Sequence, residues 1–292
     1  MTLAAAFDYQ EAFSRNLGWL TPQEQAVLRN KRVAIAGMGG AGGVHLLALT
    51  RLGVGKFHVA DLDQFNLVNF NRQAGATMTS LGLDKVDVMA EQARDINPEL
   101  DIRTFPEGVQ PHNVDAFLDG VDLYVDGLDY FVFSARRLVY DACRARGIPI
   151  TFAVPLGMGA ALLNFLPGGP GFEEYFRLED GPEEEWPIRF LVGIAPALLH
   201  RGYLVYPEIV DFQTQRVPST GLACHLCAGM AGTEAMKLLL GRGKVAAVPR
   251  TLQFDAYTGK LKQTWRPGGN RHPLQRLSMV YVKRRLQRAR QV

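Results

Sequence analysis

The chain has 292 residues, 47% of them hydrophobic and 21% charged, with a formal net charge of +3. That composition describes one large α/β domain or two small ones with ample core and excludes a disordered or fibrous chain, and the charge is too small to point to nucleic acid. Three cysteines suit a reducing cytoplasm better than a disulfide framework, no apolar run approaches a membrane span, and MTLAAAFDYQEAF is too acidic for a signal peptide.

In chain order, residues 1–30 read as a helical extension. AFDYQEAFSRNLGWL has amphipathic spacing, and a second helix starts at Thr21, with Pro22 at its first position and Glu24 completing a capping box. Arg15 lies between the two, and by spacing alone it is a surface arginine.

RVAIAGMGGAGG, from Arg32 to Gly43, organises the rest of the chain. Val33–Ala36 is a short buried strand, Gly37, Gly39, Gly40, Gly42 and Gly43 make a turn, and VHLLALTRLG continues with helical spacing. Glycine permits positive φ and removes the Cβ that would hold a phosphate away. The free N–H groups and dipole of the helix after the turn favour an anion. A second strand, KFHVADLD, places Asp61 and Asp63 about 20 residues on, where a carboxylate reaches a ribose hydroxyl. In this context the glycine pattern marks a nucleotide site.

QFNLVNFNRQ comes next, with Asn69, Arg72 and Gln73 in what reads as an irregular loop. It lies beyond the C-terminal edge of a parallel strand, where an arginine can fork onto phosphate oxygens. Lys85 opens the helix DKVDVMAEQARDIN against the dipole's preference for acids; it either faces an anion or is solvated.

DIRTF is a third strand, NVDAFLDG a helix, and VDLYVD a fourth strand that delivers Asp126 and Asp129 in the turn DGLD. A carboxylate there can hold Mg²⁺ against phosphates; Asp129 can equally N-cap the helix running to Arg146. IPITFAVP and GAALLNFLP are a fifth and a sixth strand. The alternation predicts a Rossmann-like, doubly wound, mostly parallel sheet over 31–166. Residues 167–221, rich in Gly, Pro and acids, read as a long surface excursion, with weak helical patterning in GIAPALLHRGYLVYPEIVDF. Residues 222–292 complete the same domain with a late helix ending at Gly241, the hairpin TLQFDAYTGKLKQTW and a tail whose Lys283, Arg284, Arg285, Arg288 and Arg290 form a solvated helix face.

GMGGAGG, DLDQFNLVNFNRQ, Lys85 and DGLD, in that order, resemble the ThiF/MoeB-type adenylyltransferases, relatives of the ubiquitin-activating enzymes. The likeness covers roughly residues 10–165 and returns at AGTEAMKLLLG. It implies ATP-dependent adenylation of a carboxylate, the C-terminus of a peptide or of a ubiquitin-like or sulfur-carrier protein, by a cytoplasmic homodimer with Mg²⁺. Carried over by position, Gly37, Gly39, Gly40 and Gly42 hold the nucleotide and Asp61 the ribose. Asn69, Arg72, Gln73 and Lys85 contact the phosphates, with Asp63 in the same nucleotide-binding set. Asp129 holds Mg²⁺, and Arg15 reaches into the partner's active site.

Three departures stand out. Structural zinc is not expected: only the Cys224/Cys227 pair exists, and completion by His200 or His225 matches no zinc spacing. The position near Thr214, where self-acylating relatives carry a cysteine, has none; either Cys224 or Cys227 serves, or, the favoured reading, the acyl group passes to an external amine or thiol. Tyr130 stands where many relatives have asparagine. Two other readings are a catalytically silent activating-enzyme-like subunit, which needs no Arg72, Lys85 or Asp129, and an NAD(P)-dependent oxidoreductase, for which no proton donor stands at an expected place.

Overall fold

The computed structural model describes residues 6–289. Among them, eight strands form one sheet in the order β3-β2-β1-β4-β5-β6-β7-β8. These are β1 (Arg32–Ala36), β2 (Lys56–Ala60), β3 (Asp101–Phe105), β4 (Leu123–Asp126), β5 (Ile150–Leu156), β6 (Gly159–Phe165), β7 (Arg250–Asp255) and β8 (Lys260–Trp265). The central strands are covered on both sides, so they read as continuous apolar runs rather than alternating ones. Along β1, Val33 and Ile35 enter one core and Ala34 and Ala36 the other, because successive side chains leave opposite faces.

One face carries α2 (Pro22–Asn30), α3 (Gly42–Leu52), α4 (Lys85–Ile96) and α9 (Gly221–Leu240). The other carries α5 (Val114–Phe117), α6 (Phe133–Arg146), α7 (Phe172–Phe176), α8 (Trp186–Ile194) and α10 (Pro273–Ala289). The chain runs outward from β1 to β2 and β3, then crosses back to β4. This leaves a switch point between β1 and β4, the place where open α/β sheets bind ligands.

The Rossmann-like parallel sheet holds through β5. The sixth strand departs from simple alternation: Leu156 pairs with Gly159 across a tight turn, and β6, β7 and β8 run antiparallel. Part of the expected surface excursion is core, since Phe172, Tyr175, Phe176 and Phe190 are buried. The expected helix over 193–212 is displaced upstream to α8, which ends at Ile194, with Ala195 already non-helical because Pro196 disfavours helical backbone in the residue before it. Beyond it the chain is irregular up to Thr220, which caps α9 by accepting the Ala223 N–H at 3.3 Å.

The basic face of α10 is only partly solvated: Lys283 pairs with Glu185 and Arg285 donates to the Arg201 carbonyl at 3.0 Å. The side chain of Arg288 and the whole of Arg290 lie outside the described residues. No helix among the described residues is long and apolar enough to cross a membrane.

The N-terminal extension has its own anchor. α1 (Tyr9–Ala12) buries Tyr9, whose hydroxyl donates to the Gly53 carbonyl and accepts from Gln25 Nε2 at 3.0 Å. Gln25 Nε2 also donates to the Leu52 carbonyl at 3.0 Å. Orphan carbonyls at the end of α3 are thereby satisfied. Tyr9→Phe is expected to lower stability by about 1 kcal/mol, the usual net value of such a bond, read as a shift in the urea midpoint at unchanged slope.

Candidate active site

The switch point opens into a cleft of about 1150 Å³. At its base the loop after β1 packs against the loop after β4. Gly37 has φ +88°, and a Cβ there would lie 2.2 Å from the Gly127 oxygen; one on Gly42 would lie 1.7 Å from the Gly37 oxygen. These two glycines are demanded by backbone meeting backbone. Gly39 and Gly40 differ: a Cβ would meet Gln73 Nε2 at 3.4 Å and Cys224 Sγ at 3.1 Å, filling the hollow between the loop and Gln73 and Arg72. The hollow is a cradle for a group larger than a side chain would permit. The first turn of α3 has no side-chain cap, so its N–H groups favour an anion there.

Asp61, at the end of β2, ties the loop down. Its Oδ2 accepts the Met38 N–H at 2.6 Å and its Oδ1 the Asp63 N–H at 2.8 Å. Burial raises its carboxyl above the ordinary carboxylate value, and those donors and Lys85 oppose the rise. Each oxygen keeps a further lone pair for a ligand hydroxyl. Asp63, on the same cleft lining, pairs through Oδ2 with Lys85 Nζ at 2.9 Å. Lys85 is not the solvated lysine of the alternative reading, its side chain being 8% exposed against 60% for Asp63.

The loop after β2 is irregular, as expected. Asn69 caps a short turn by accepting the Asn66 N–H at 2.9 Å. Arg72 Nη1 donates to the Val68 carbonyl at 2.9 Å and to Asn71 Oδ1 at 3.0 Å, which aims the guanidinium while leaving other donors for an anion. Gln73 is buried, and its Oε1 has no partner among the described residues.

The two carboxylates of DGLD part company. Asp126 is buried and fully engaged, by the Leu128 N–H at 2.9 Å, Arg136 Nε at 2.7 Å and the Tyr140 hydroxyl at 2.9 Å. Asp129 is exposed in the cleft and, among the described residues, accepts only the Phe131 N–H, at 3.2 Å. It does not N-cap α6, which starts after Val132 with no side-chain cap.

Arg136 is a residue that the sequence does not single out. Its Nη2 donates to the carbonyls of Leu128 and Asp129 at 2.8 and 3.0 Å, so it holds the turn from inside. Burial alone would lower its pKa, but the Asp126 charge prevails and raises it. The one signal in the sequence is the spacing Arg136, Tyr140, Cys143, a buried stripe at i, i+4, i+7.

Cys224 lies under Gly40 and lines the cleft; burial raises its thiol pKa. Cys227 Sγ contacts His45 Nε2 at 3.7 Å, and burial pushes that imidazole down to about 4. His225 is exposed on α9. Among the described residues no group of three His, Cys, Asp or Glu side chains could hold a metal. Thr214 sits in an exposed turn, bonded to Asp211 at 2.9 Å. Arg15 is exposed on the turn Ser14–Asn16 and does not line this chain's cleft. Beyond Asp129 the cleft becomes apolar, lined by Tyr130, Phe131, Phe212 and Val205 among others, a wall that sequence patterning does not assemble.

The model of the ThiF family matches residues 13–277. A tRNA threonylcarbamoyladenosine dehydratase of Haemophilus influenzae is 32% identical over 120 residues, which are 41% of this chain and 46% of that protein; the matched stretch thus spans less than half of that relative. The SAMP-activating enzyme E1 of Haloferax volcanii is 29% identical over 259 residues, 88% of this chain and 85% of that one. The crystal structure of Escherichia coli MccB with ATP superposes with a TM-score of 0.63 at 18% identity, covering 87% of this chain and 70% of the other. That likeness is one of fold.

Two expectations separate the roles of these residues. Gly42→Ala is expected to unfold the protein or lower its Tm sharply, whereas Gly39→Ala is expected to keep the fold and weaken nucleotide binding tenfold or more, on the order of 1.4 kcal/mol; calorimetry and thermal melting read both. Arg136→Met is expected to cost about 3–5 kcal/mol by stranding a buried carboxylate, and adding Asp126→Asn to recover part of that loss in urea unfolding.

Proposed function

The chain belongs to the ThiF family, and from that premise we propose that it adenylates a carboxylate with ATP. It is an adenylyltransferase of the activating-enzyme type. One observation carries the reading: Arg72, Lys85 and Asp129 line the same cleft as the Gly39–Gly40 cradle and Asp61. A scaffold subunit would need none of the three.

In the reaction a carboxylate oxygen attacks the α-phosphorus of ATP, the bond from that phosphorus to the bridging oxygen breaks, and acyl-AMP and pyrophosphate result. No side-chain nucleophile is required. The work is positioning, with cations set where charge develops on the transferring group. Gly39, Gly40 and the N-terminus of α3 receive the phosphates, Asp61 accepts from the ribose, and Arg72, Lys85 and Gln73 face the phosphate oxygens. Lys85 arrives already fixed by Asp63, so little freedom is lost on binding. Asn69 acts by shaping the loop that presents Arg72. The cradle that a Cβ would fill fits a nucleotide. One exposed, nearly unengaged carboxylate fits Mg²⁺, which takes one or two carboxylates alongside substrate phosphates. Asp129 would hold that ion, which when bound neutralises phosphate charge.

The substrate in this reading is the C-terminal carboxylate of a peptide or small carrier protein, and the acyl group passes to an external amine or thiol. The protein works as a cytoplasmic homodimer in which Arg15, exposed and away from its own cleft, serves the partner's site. Three free cysteines, Cys143, Cys224 and Cys227, are in keeping with a reducing compartment.

The test is carboxylate-dependent exchange of labelled pyrophosphate into ATP, with Mg²⁺ and a pool of peptides and carrier proteins. Lys85→Ala and Asp129→Ala are each expected to lower exchange about 100-fold or more, the usual cost of losing one preorganised electrostatic contact, with melting unchanged. Mixing Arg15→Ala with Lys85→Ala protein is expected to restore exchange, because a mixed dimer contains one site with both residues. ATP binding without exchange across the pool would favour the silent subunit; binding of NAD in place of ATP would overturn the reading.

A further inference from the structure

The cleft is larger than the roughly 300–1,000 Å³ of an ordinary ligand pocket, and its far half is built unlike its near half. Past Asp129 the lining becomes mostly apolar and aromatic. Immediately after that residue, Tyr130 stacks on Phe212 with centroids 6.1 Å apart and planes 17° apart, and meets Phe190 edge-on at 5.2 Å. Phe131 packs on the same Phe212 ring at 6.2 Å. The Tyr130 hydroxyl is spent on the Pro187 carbonyl, so this residue adds an apolar ring to the wall. Val205, also on the lining, is 96% exposed.

Several polar groups around this half are engaged elsewhere, whereas the buried Nδ1 of His200, on the lining, has no partner among the described residues. Asp255 takes the Tyr203 hydroxyl on one oxygen and the Thr258 N–H and hydroxyl, both at 2.8 Å, on the other. The charges that remain at the rim are arginines: Arg201 lies 5.8 Å over the Tyr281 ring, and Arg285 donates to the Arg201 carbonyl. Two residues of the wall, Leu198 at φ +45° and Gln215 at φ +56°, hold left-handed backbone without being glycine. Backbone of that kind gathers at ligand clamps and active sites.

We propose that this half of the cleft is a side-chain subsite, and that the carboxylate substrate ends in a bulky apolar residue, aromatic or leucine-like, whose side chain lies between Phe212 and Val205 while its carboxylate faces Arg72. The identification of that carboxylate rests on the adenylation reading; the preference for an apolar side chain rests on the wall. A terminal glycine would leave the wall exposed to water, and a terminal acid would have to be desolvated against it. Burying one large apolar side chain is worth about tenfold or more in affinity.

The experiment is titration calorimetry of the full chain, with Mg²⁺ and a non-hydrolysable ATP analogue, against acetyl-Ala-Ala-X peptides in which X is Phe, Leu, Gly or Asp. The Phe and Leu peptides are expected to bind about tenfold or more tightly than Gly, with Asp weakest. Phe212→Ala is expected to erase most of the Phe advantage while leaving the Gly peptide unchanged. Val205→Asp, at a site too exposed to disturb folding, is expected to weaken Phe and spare Gly. Equal affinities, an Asp preference, or no binding by any peptide would overturn the proposal. Pyrophosphate exchange on the same peptides separates the two readings: preference without exchange would leave the subsite standing and remove adenylation, and exchange without preference would do the reverse.

Discussion

The buried ion pair between Asp126 and Arg136 is the constraint on which the site depends. Both side chains are fully excluded from water and meet at 2.7 Å. An isolated charge of either sign could not stay there, so each requires the other and the remaining hydrogen bonds. The guanidinium uses its other donors on the carbonyls of Leu128 and Asp129 and lies over the rings of Phe190 and Phe152 at 4.9 and 5.3 Å. One arginine thereby fixes the turn after β4, the start of α6 and the inner face of the aromatic wall. Asp129 points outward because its backbone is gripped from within, and Tyr130 joins the ring cluster for the same reason.

A second constraint acts on the opposite lip. The loops after β1 and β4 approach so closely that a Cβ on Gly37, Gly42 or Gly127 would collide with backbone within 2.7 Å. The approach sets the depth of the cleft at the switch point. Lys85 and Arg72 are then brought to the cleft by different means. Lys85 is buried and held by a carboxylate three-fifths exposed to solvent, so its ammonium is positioned before any ligand arrives. Arg72 is steered by a carbonyl and an amide, neutral partners that leave its charge uncompensated.

What can be read from the sequence is what is local. The glycine loop, Asp61, the Asn69–Gln73 loop, Lys85 and Asp129 each sit beside a strand end, and strand ends show as apolar runs bounded by turn residues. The capping box at Thr21 and Glu24 is legible for the same reason, and both of its bonds are present, at 3.1 and 2.8 Å. What escapes depends on separation. The partner of Arg136 lies ten residues away across a turn, and FSARRLVYDACRAR looks like a charged surface helix until one face is known to be closed. The rings of Tyr130, Phe190 and Phe212 meet only after the chain has folded back twice. In 167–194 the Gly, Pro and acid content masks the buried residues Phe172, Tyr175 and Phe176; short helices between prolines bury side chains without a long periodic signal.

The division of the cleft arises from the change of strand direction at β6. Parallel strands need crossover connections, and the ends of those connections place charged residues along the C-terminal edge. That edge, from β2 through β4, is where Asp61, Lys85 and Asp129 gather. Once β5 turns back through a hairpin, no helix has to cross, and the region above the antiparallel strands is left to the irregular segment between α8 and α9. Lacking regular structure, that segment meets its backbone needs with short turns, such as the paired bonds between Asp211 and Arg216 at 2.8 and 2.7 Å, and sets Phe212 against the rings of Tyr130 and Phe131. The charged half and the apolar half of one cavity thus follow the parallel and the antiparallel halves of one sheet.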